Sequence, residues 1–155
     1  MAAFKIKDTL VSMQSILRQQ GNVYDAVIGE PKKPFTPKGQ TRRVAAAIWM
    51  TDWAPTLTLA TSVEVFTAMV RLHVDAFSEN VEETELALAD AFNEFTTGAQ
   101  QGYTLGSTIR NIDVAGEMSA GMSGAWGHVT YSDTTYRIVD IVVPLIVNDV
   151  ATHAA

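Results

Sequence analysis

Thr134-Thr-Tyr-Arg-Ile-Val-Asp-Ile-Val-Val-Pro-Leu-Ile-Val147 has the two-residue alternation of a β-strand with one fully buried face. The set of side chains on that face is entirely apolar and comprises Val139, Ile141, Val143, Leu145 and Val147. The opposite set is mixed, and the stretch is rich in β-branched residues, which fit a pleated sheet better than a helix. Because Pro144 has no N–H to donate, the strand is predicted to lie at a sheet edge or to change partner there.

Such a strand needs partner strands and covering helices, and the rest of the chain supplies both. A second alternation has a core face made of Phe66, Ala68, Val70, Leu72 and Val74. Strands are predicted at Val63–Val74, Asn22–Gly29, Val44–Asp52, Ile109–Val114 and, as a hairpin with Thr135 onward, Gly127–Tyr131. A turn region is predicted at Ala54-Pro55, and amphipathic helices at about residues 7–20 and from Glu79 to Thr97, where Gly98 ends the second helix.

This order of elements predicts an α+β fold, with a mainly antiparallel β-sheet, two principal helices packed on it and long extended loops. At 155 residues the chain fits a single domain, 1–155. Residues 29–43 contain three of the five prolines and are predicted to form an extended arm. Residues 116–127 contain four glycines and are predicted to form a flexible loop.

The composition is that of a folded, soluble protein, with 47% hydrophobic and 18% charged residues. The chain has no cysteine, so disulfides and thiolate metal sites are excluded. The amino-terminal residues lack the apolar core of a signal peptide, and the longest apolar run, Ile141 to Val147, is too short to cross a bilayer. The sequence therefore predicts a product that is made in a cytoplasm and has no membrane partner.

Charge is distributed unevenly along the chain. The formal net charge of −6 argues against avid, sequence-independent binding to nucleic acid. Five of the eleven basic residues fall in the arm, namely Lys32, Lys33, Lys38, Arg42 and Arg43. Between Arg71 and Arg110 there is no Lys or Arg, and the acidic residues there include Glu79, Glu82, Glu83 and Glu85 at the start of the second helix. One segment is thus cationic and another anionic.

The sequence contains no recognisable catalytic, cofactor-binding or metal-binding motif. His73, His128 and His153 lack the spacing of a helical metal pair, and His73 is expected to be a surface residue of its strand. Asp140 is the one acidic residue inside the main strand, and a position on the solvent-facing side of the sheet is favoured over a catalytic role. We therefore predict no catalytic residue, no cofactor and no metal.

Several separated segments carry a resemblance to a known family. They are Gly29-Glu-Pro-Lys-Lys-Pro34, Ala45-Ala-Ala-Ile-Trp-Met50, Glu64-Val-Phe-Thr-Ala-Met-Val-Arg-Leu72, Ile109-Arg-Asn-Ile-Asp-Val-Ala-Gly116 and Tyr136-Arg-Ile-Val-Asp-Ile-Val-Val-Pro-Leu-Ile-Val-Asn-Asp149. In this order and spacing the chain resembles the tail terminator (tail-completion) proteins of long-tailed bacteriophages, the siphophages, particularly those of actinobacterial hosts. The resemblance covers nearly the whole chain.

The resemblance implies an α+β protomer that assembles into a ring, as a homohexamer. The ring would cap the last ring of major tail protein, end tube polymerisation and join the tail to the head-side connector or neck protein. Genomic DNA would pass through its lumen without sequence-specific binding. The family has no enzymatic activity, and the implied location is the virion, at the head–tail joint.

Two alternatives remain open at the level of sequence. A neck or head-completion protein would form a ring on the other side of the same joint and would bind the connector first. A small ligand-binding or enzymatic α+β domain would need a closed pocket with clustered titratable residues.

A ring of identical subunits needs two different, complementary surfaces on each subunit. We therefore predict that the cationic arm of one subunit meets the acidic start of the second helix on its neighbour; the alternative is that both segments are solvated within one compact domain. The residues assigned to this interface are Lys32, Lys33, Lys38, Arg42, Arg43, Glu79, Glu82, Glu83 and Glu85.

Overall fold

The structure, a computed structural model, describes residues 5–35, 43–57, 62–77, 80–101, 111–116 and 119–148. These residues form two helices and six strands: α1 (Ile6–Gln19), β1 (Val23–Ile28), β2 (Val44–Leu57), β3 (Ser62–Asp75), α2 (Val81–Gln100), β4 (Asn111–Ile112), β5 (Ser123–Tyr131) and β6 (Thr134–Asn148). The strands form one sheet in the order β1-β2-β3-β6-β4, and β5 also pairs with β6. Only the β1–β2 pairing is parallel among the described strand pairs, which confirms the α+β fold.

β6 lies in the interior of the sheet. Its predicted buried face is confirmed, because Val139, Ile141, Val143 and Leu145 are fully buried in the main core. β3 pairs with one side of β6, while β5 pairs with the other side as far as Val142 and β4 pairs from Leu145 onward. Pro144 thus stands where β6 changes partner, as one of the two sequence-based possibilities predicted. It is not in an edge strand.

Both helices pack on the same face of the sheet. Met13 and Leu17 of α1 join Leu88 and Phe95 of α2 in the core cluster that contains the buried side chains of β2, β3 and β6. The opposite side of the sheet, here called the second face, carries neither helix. It has its own smaller cluster of buried side chains, centred on Tyr131, Tyr136 and Ile138.

Three predicted boundaries are wrong. β2 does not turn at Ala54-Pro55 but continues to Leu57, across a register shift between Met50 and Asp52. Proline is tolerated there because β1 ends its pairing at Ile48, which leaves β2 with only β3 as a partner in the described sheet.

The other two wrong boundaries concern glycine-containing segments. The loop predicted to run to Gly127 ends earlier, because β5 begins at Ser123 and pairs along the edge of β6. α2 does not stop at Gly98 but continues to Gln100, since Ala99 still packs in the core at 3% exposure. Packing against the sheet thus overrides the local preference of glycine for loops. No helix in the described part of the chain combines the length and the apolarity needed to cross a membrane.

Candidate functional site

The structure describes six of the nine charged residues assigned to the interface. Lys38, Arg42 and Glu79 lie outside the described residues. Lys32 and Lys33 are exposed in the irregular chain that follows β1. The other four are also exposed, with Arg43 just before β2 and Glu82, Glu83 and Glu85 in the first turns of α2.

The start of α2 concentrates negative charge for a local reason. Asn80 caps the helix, since its side-chain oxygen accepts a hydrogen bond of 2.8 Å from the N–H of Glu83. Acidic side chains in the first turn are stabilised by the positive end of the helix dipole. No Lys or Arg occurs anywhere in the 20 residues of α2, so its own sequence leaves this acidic surface uncompensated.

Two of the acidic residues have partners within their own chain. Arg43 Nη1 lies 3.7 Å from Glu83 Oε2, and both side chains are largely exposed, so this ion pair contributes little to stability. Glu85 binds Arg137 of β6 through two hydrogen bonds of 3.0 and 3.3 Å. The end of the arm therefore already lies beside the start of α2 within one subunit. Glu82 makes no ion pair with another described residue and is the acidic side chain best placed to bind a neighbour.

The beginning of the arm is anchored to the second face by Phe35. The N–H of Phe35 donates a hydrogen bond of 3.0 Å to the hydroxyl of Tyr136. Its ring centroid lies 4.8 Å from that of His73, and the ring meets Tyr136 edge-on at 6.0 Å. Lys32 and Lys33 therefore extend from a fixed base rather than from an unattached loop.

Beneath Phe35, a hydrogen-bonded chain crosses four strands of the second face, β2, β3, β6 and β5. Arg71 donates to both carboxylate oxygens of Asp140, at 2.6 and 3.0 Å, and to the hydroxyl of Tyr131 at 3.1 Å. That hydroxyl lies 3.0 Å from Nε2 of His73, whose Nδ1 lies 3.2 Å from the carbonyl oxygen of Ala45. Because a carbonyl can only accept, Nδ1 carries the proton and Nε2 accepts from Tyr131.

This arrangement requires a neutral His73. Burial lowers the pKa of His73 to about 4, although its hydrogen bond to Ala45 acts in the opposite direction. The hydrogen bonds to Asp140 raise the pKa of Arg71, so the guanidinium stays charged. The expectation that His73 lies at the surface is wrong, since it is 1% exposed. Asp140 lies on the face without helices, as expected, but its charge is balanced by Arg71 and its side chain is only 23% exposed.

The described part of the predicted flexible loop has a hydrogen-bonded framework built on Asp113. This buried carboxylate accepts from the N–H of Gly116 at 3.1 Å and from the hydroxyl of Ser119 at 2.7 Å. The same hydroxyl accepts from the N–H of Gly121 at 3.0 Å. Gly121 has a φ of 86°, and a Cβ there would lie 3.2 Å from two backbone atoms, so the close approach within this loop requires glycine.

A groove of about 300 Å³ separates this loop from the second face. Val65, Thr67 and Pro144 line one wall, Ser119 lines the other, and Asp52 is the one titratable side chain that lines it. The hydroxyl of Ser119 is already bonded to Asp113 and serves the structure of the loop. Across the described ranges, no three His, Asp or Glu residues are grouped so as to hold a metal ion.

Sequence reasoning missed the network on the second face and the buried Asp113. Arg71 and Asp140 are directly opposed in the β3–β6 pairing, but this register becomes visible only once the two strands are aligned. For Asp113 a local signal was present, because Asp followed by Gly three residues later is typical of turns in which the carboxylate accepts from the backbone.

Comparison with known proteins does not assign the chain to a family. No protein-family model matches it, and no curated protein is significantly similar to it.

Proposed function

We propose that the protein is a tail terminator subunit of a siphophage, which forms a homohexameric ring at the end of the tail tube. The observation that carries the proposal is the position of two exposed, oppositely charged surfaces on different faces of one end of the sheet. A subunit of this kind can bind a second copy head to tail, and repetition of such a contact closes into a ring when the rotation allows it.

The two surfaces are brought to the same end of the sheet by the strand register. The arm is anchored by Phe35 on the second face, beside Tyr136. Tyr136 pairs with Asp75, the last residue of β3, and α2 begins at Val81 on the helical face. Lys32 and Lys33 therefore lie on one face, while the acidic start of α2 lies on the other.

Apolar side chains accompany the charges. Phe77 and Val81 are each 82% exposed and precede the acidic residues of the first turn of α2 in the chain. Large apolar side chains that lie together at a surface with a polar rim are typical of protein interfaces. Burial of these two side chains in a neighbour would hold the ring together, while the charges would select the register and speed the encounter.

The assembled ring would act by contact alone. It would bind the last ring of major tail protein, stop tube growth and present its other side to the connector or neck protein. Genomic DNA would pass through the lumen without sequence-specific contacts, for which an acidic subunit provides few phosphate ligands. The proposal includes no enzymatic activity, cofactor or membrane partner, and it places the protein in the virion at the head–tail joint.

The proposal is tested by adding the purified protein to polymerising major tail protein of the same phage. Tubes should become shorter as the protein is added, and electron microscopy should show extra density at one end of each tube. A variant with Lys32, Lys33 and Lys38 changed to Glu should cap fewer tubes at low salt. If tube lengths are unchanged and the protein binds only the isolated connector, the neck-protein alternative holds instead.

A further inference from the structure

β5 is an edge strand whose outer side has no partner among the described residues. The opposite edge of the sheet, β1, is partly covered, because Gln14 and Arg18 of α1 both donate to the carbonyl oxygen of Ala26, at 2.8 and 3.1 Å. β5 lacks the usual protection against pairing with another chain. From Ser123 to Tyr131 it contains no Lys, Arg, Asp, Glu or Pro.

The residues of β5 that present hydrogen-bonding groups outward follow from the hairpin. Tyr131 and Thr134 flank a two-residue turn and form the first pair of the β5–β6 ladder. In an antiparallel ladder, alternate residues bond to the partner strand, so the residues between them direct N–H and C=O to the other side. Counted from Tyr131, the outward residues are Gly124, Trp126, His128 and Thr130.

An apolar ridge borders this edge on the helical face. The ring of Trp126 lies 4.7 Å from that of Phe92 and is 41% exposed. Leu86, Ala89 and Phe92 are spaced by three residues and so form one ridge of α2, at whose far end Leu86 is 58% exposed.

The charges of α2 lie away from the Phe92 end of this ridge, whereas Leu86 at the other end has Glu82 and Asp90 as neighbours four residues away on the helix surface. Glu85, the acidic residue closest to the β5 side, is neutralised by Arg137. Glu83, Asp90 and Glu94 are roughly half a helical turn away from Phe92, because each residue advances the helix by about 100°. The β5 edge and the Trp126–Phe92 end of the ridge are therefore close to neutral, whereas the Leu86 end borders acidic residues.

We infer that β5 is a self-association site, at which a second copy of the chain pairs antiparallel through its own β5. In the register that uses all four outward residues, Gly124 faces the partner's Thr130 and Trp126 faces the partner's His128. A twofold contact requires one self-complementary patch, and an uncharged strand edge meets its own copy without opposing like charges. The inference goes beyond the proposed ring, since it uses neither the arm nor the acidic start of α2.

The size of the contact sets its strength. Nine paired residues extend over about 30 Å, and with the bordering ridge they would bury on the order of 600 Å² per copy. Stable dimers bury about 800 Å² per partner, so this pair is weak and depends on concentration. Like other hydrogen-bonded apolar contacts, it should change little with salt, whereas the contact between the arm and α2 should weaken.

Sedimentation and amide exchange across a wide concentration range test the inference, both on the parent and on the Lys32, Lys33, Lys38→Glu variant. As concentration rises, monomers of the triple variant should convert to dimers, and rings of the parent should pair through the same edge. Exchange at Trp126, His128 and Thr130 should slow in parallel, while exchange at Ala125 and Gly127, which bond to β6, should stay constant.

Two variants locate the contact. His128→Pro removes an outward donor without touching the β6 ladder. Gly127→Lys sets two lysines opposite each other, because Gly127 faces the partner's Gly127 at the twofold axis of this register, and a Cβ there has no atom of the same chain within 4 Å. Each should weaken dimerisation by about tenfold or more, and Gly127→Lys gives the result if His128→Pro fails to fold. Val11→Lys, at a 44% exposed position of α1, is the matched control and should dimerise like the parent. A triple variant that stays monomeric and parent rings that stay single at every concentration, or association that both edge variants leave unchanged, would overturn the inference.

Discussion

At the scale of single residues, the second face depends on the protonation state of one histidine. His73 donates through Nδ1 to Ala45 and accepts at Nε2 from Tyr131. The hydroxyl of Tyr131 in turn accepts from Arg71, so the chain of donors and acceptors is complete only while His73 is neutral. A second ring proton would point at the hydroxyl hydrogen of Tyr131 and break this order.

Stability should therefore fall in acid. The pKa of His73 is lowered to about 4 in the folded chain from an ordinary value of 6.5, so between these values the unfolded state binds more protons than the folded state. The contribution of His73 is fully present above pH 6.5 and is lost as the pH falls towards 4, by up to about 3 kcal/mol in total.

Urea unfolding of the parent, His73→Gln and His128→Gln between pH 7 and pH 4 measures this effect. The free energy of unfolding should depend less steeply on pH in His73→Gln than in the parent. His128 is an exposed histidine on β5, which β6 separates from the strand of His73, and its replacement should leave the slope as it is in the parent. If the free energy of unfolding depended equally steeply on pH in all three proteins, the folded chain would not favour the neutral form of His73.

The Arg71–Asp140 pair provides a second prediction at this scale. Both side chains are less than a quarter exposed, and the guanidinium carbon also lies 5.3 Å from the Trp49 ring centroid. Asp140→Asn leaves the arginine without its counterion and should lower the free energy of unfolding by roughly 1–3 kcal/mol. Replacing Arg71 by Met and Asp140 by Leu together should recover most of that loss, and Asp133→Asn in the exposed turn should change stability by less than about 0.5 kcal/mol. A double variant whose free energy of unfolding is no higher than that of Asp140→Asn would contradict this account.

At the scale of elements, the β5–β6 hairpin contains a strained residue. Ser132 occupies the first central position of the turn with a φ of 55°, a conformation that glycine adopts more readily. Ser132→Gly should therefore stabilise the protein by about 0.5–1 kcal/mol in urea unfolding. Asp133→Gly is the control, because Asp133 has no positive φ and the added backbone freedom should destabilise. The reverse order of the two variants would be inconsistent with this turn geometry.

The elements differ in how far the sequence determines them. The buried faces of β3 and β6 follow from alternation alone, since every second residue is apolar. β5 could not be recognised at its start, because Ser123, Gly124 and Gly127 have poor strand propensity and are held in the sheet by pairing with β6. The burial of His73 could not be predicted from its strand either, because the ring that packs against it, Phe35, comes from a distant part of the chain. Local alternation predicts which face of a strand is buried. Strand register and contacts with residues distant in the sequence determine which side chains meet in the site.

At the scale of the whole molecule, the ion pairs within the chain show which acidic residue should be reversed to test the charged interface between subunits. Glu83 and Glu85 already bind Arg43 and Arg137 within the chain, so Glu82 is the side chain to reverse. Changing Lys32, Lys33 and Lys38 to Glu should weaken ring formation at low salt, with about 0.2–1 kcal/mol lost per exposed pair.

Adding Glu82→Lys to that triple variant should restore part of the loss, whereas Glu94→Lys, three turns further along α2, should restore nothing. The differences should shrink as salt is raised. Light scattering during assembly measures the rate and extent of ring formation by each variant. If the triple variant assembles like the parent at low salt, the arm and α2 do not meet.

The ring itself is the central claim, and the mass of the assembled parent tests it most directly. Native mass spectrometry at low salt, with electron microscopy of the same sample, should give one dominant species of six chains with an open centre. Apolar contacts at Phe77 and Val81 predict that this species persists when salt weakens the charged contacts. A protein that shows only monomers and twofold dimers at every concentration and salt would contradict the account.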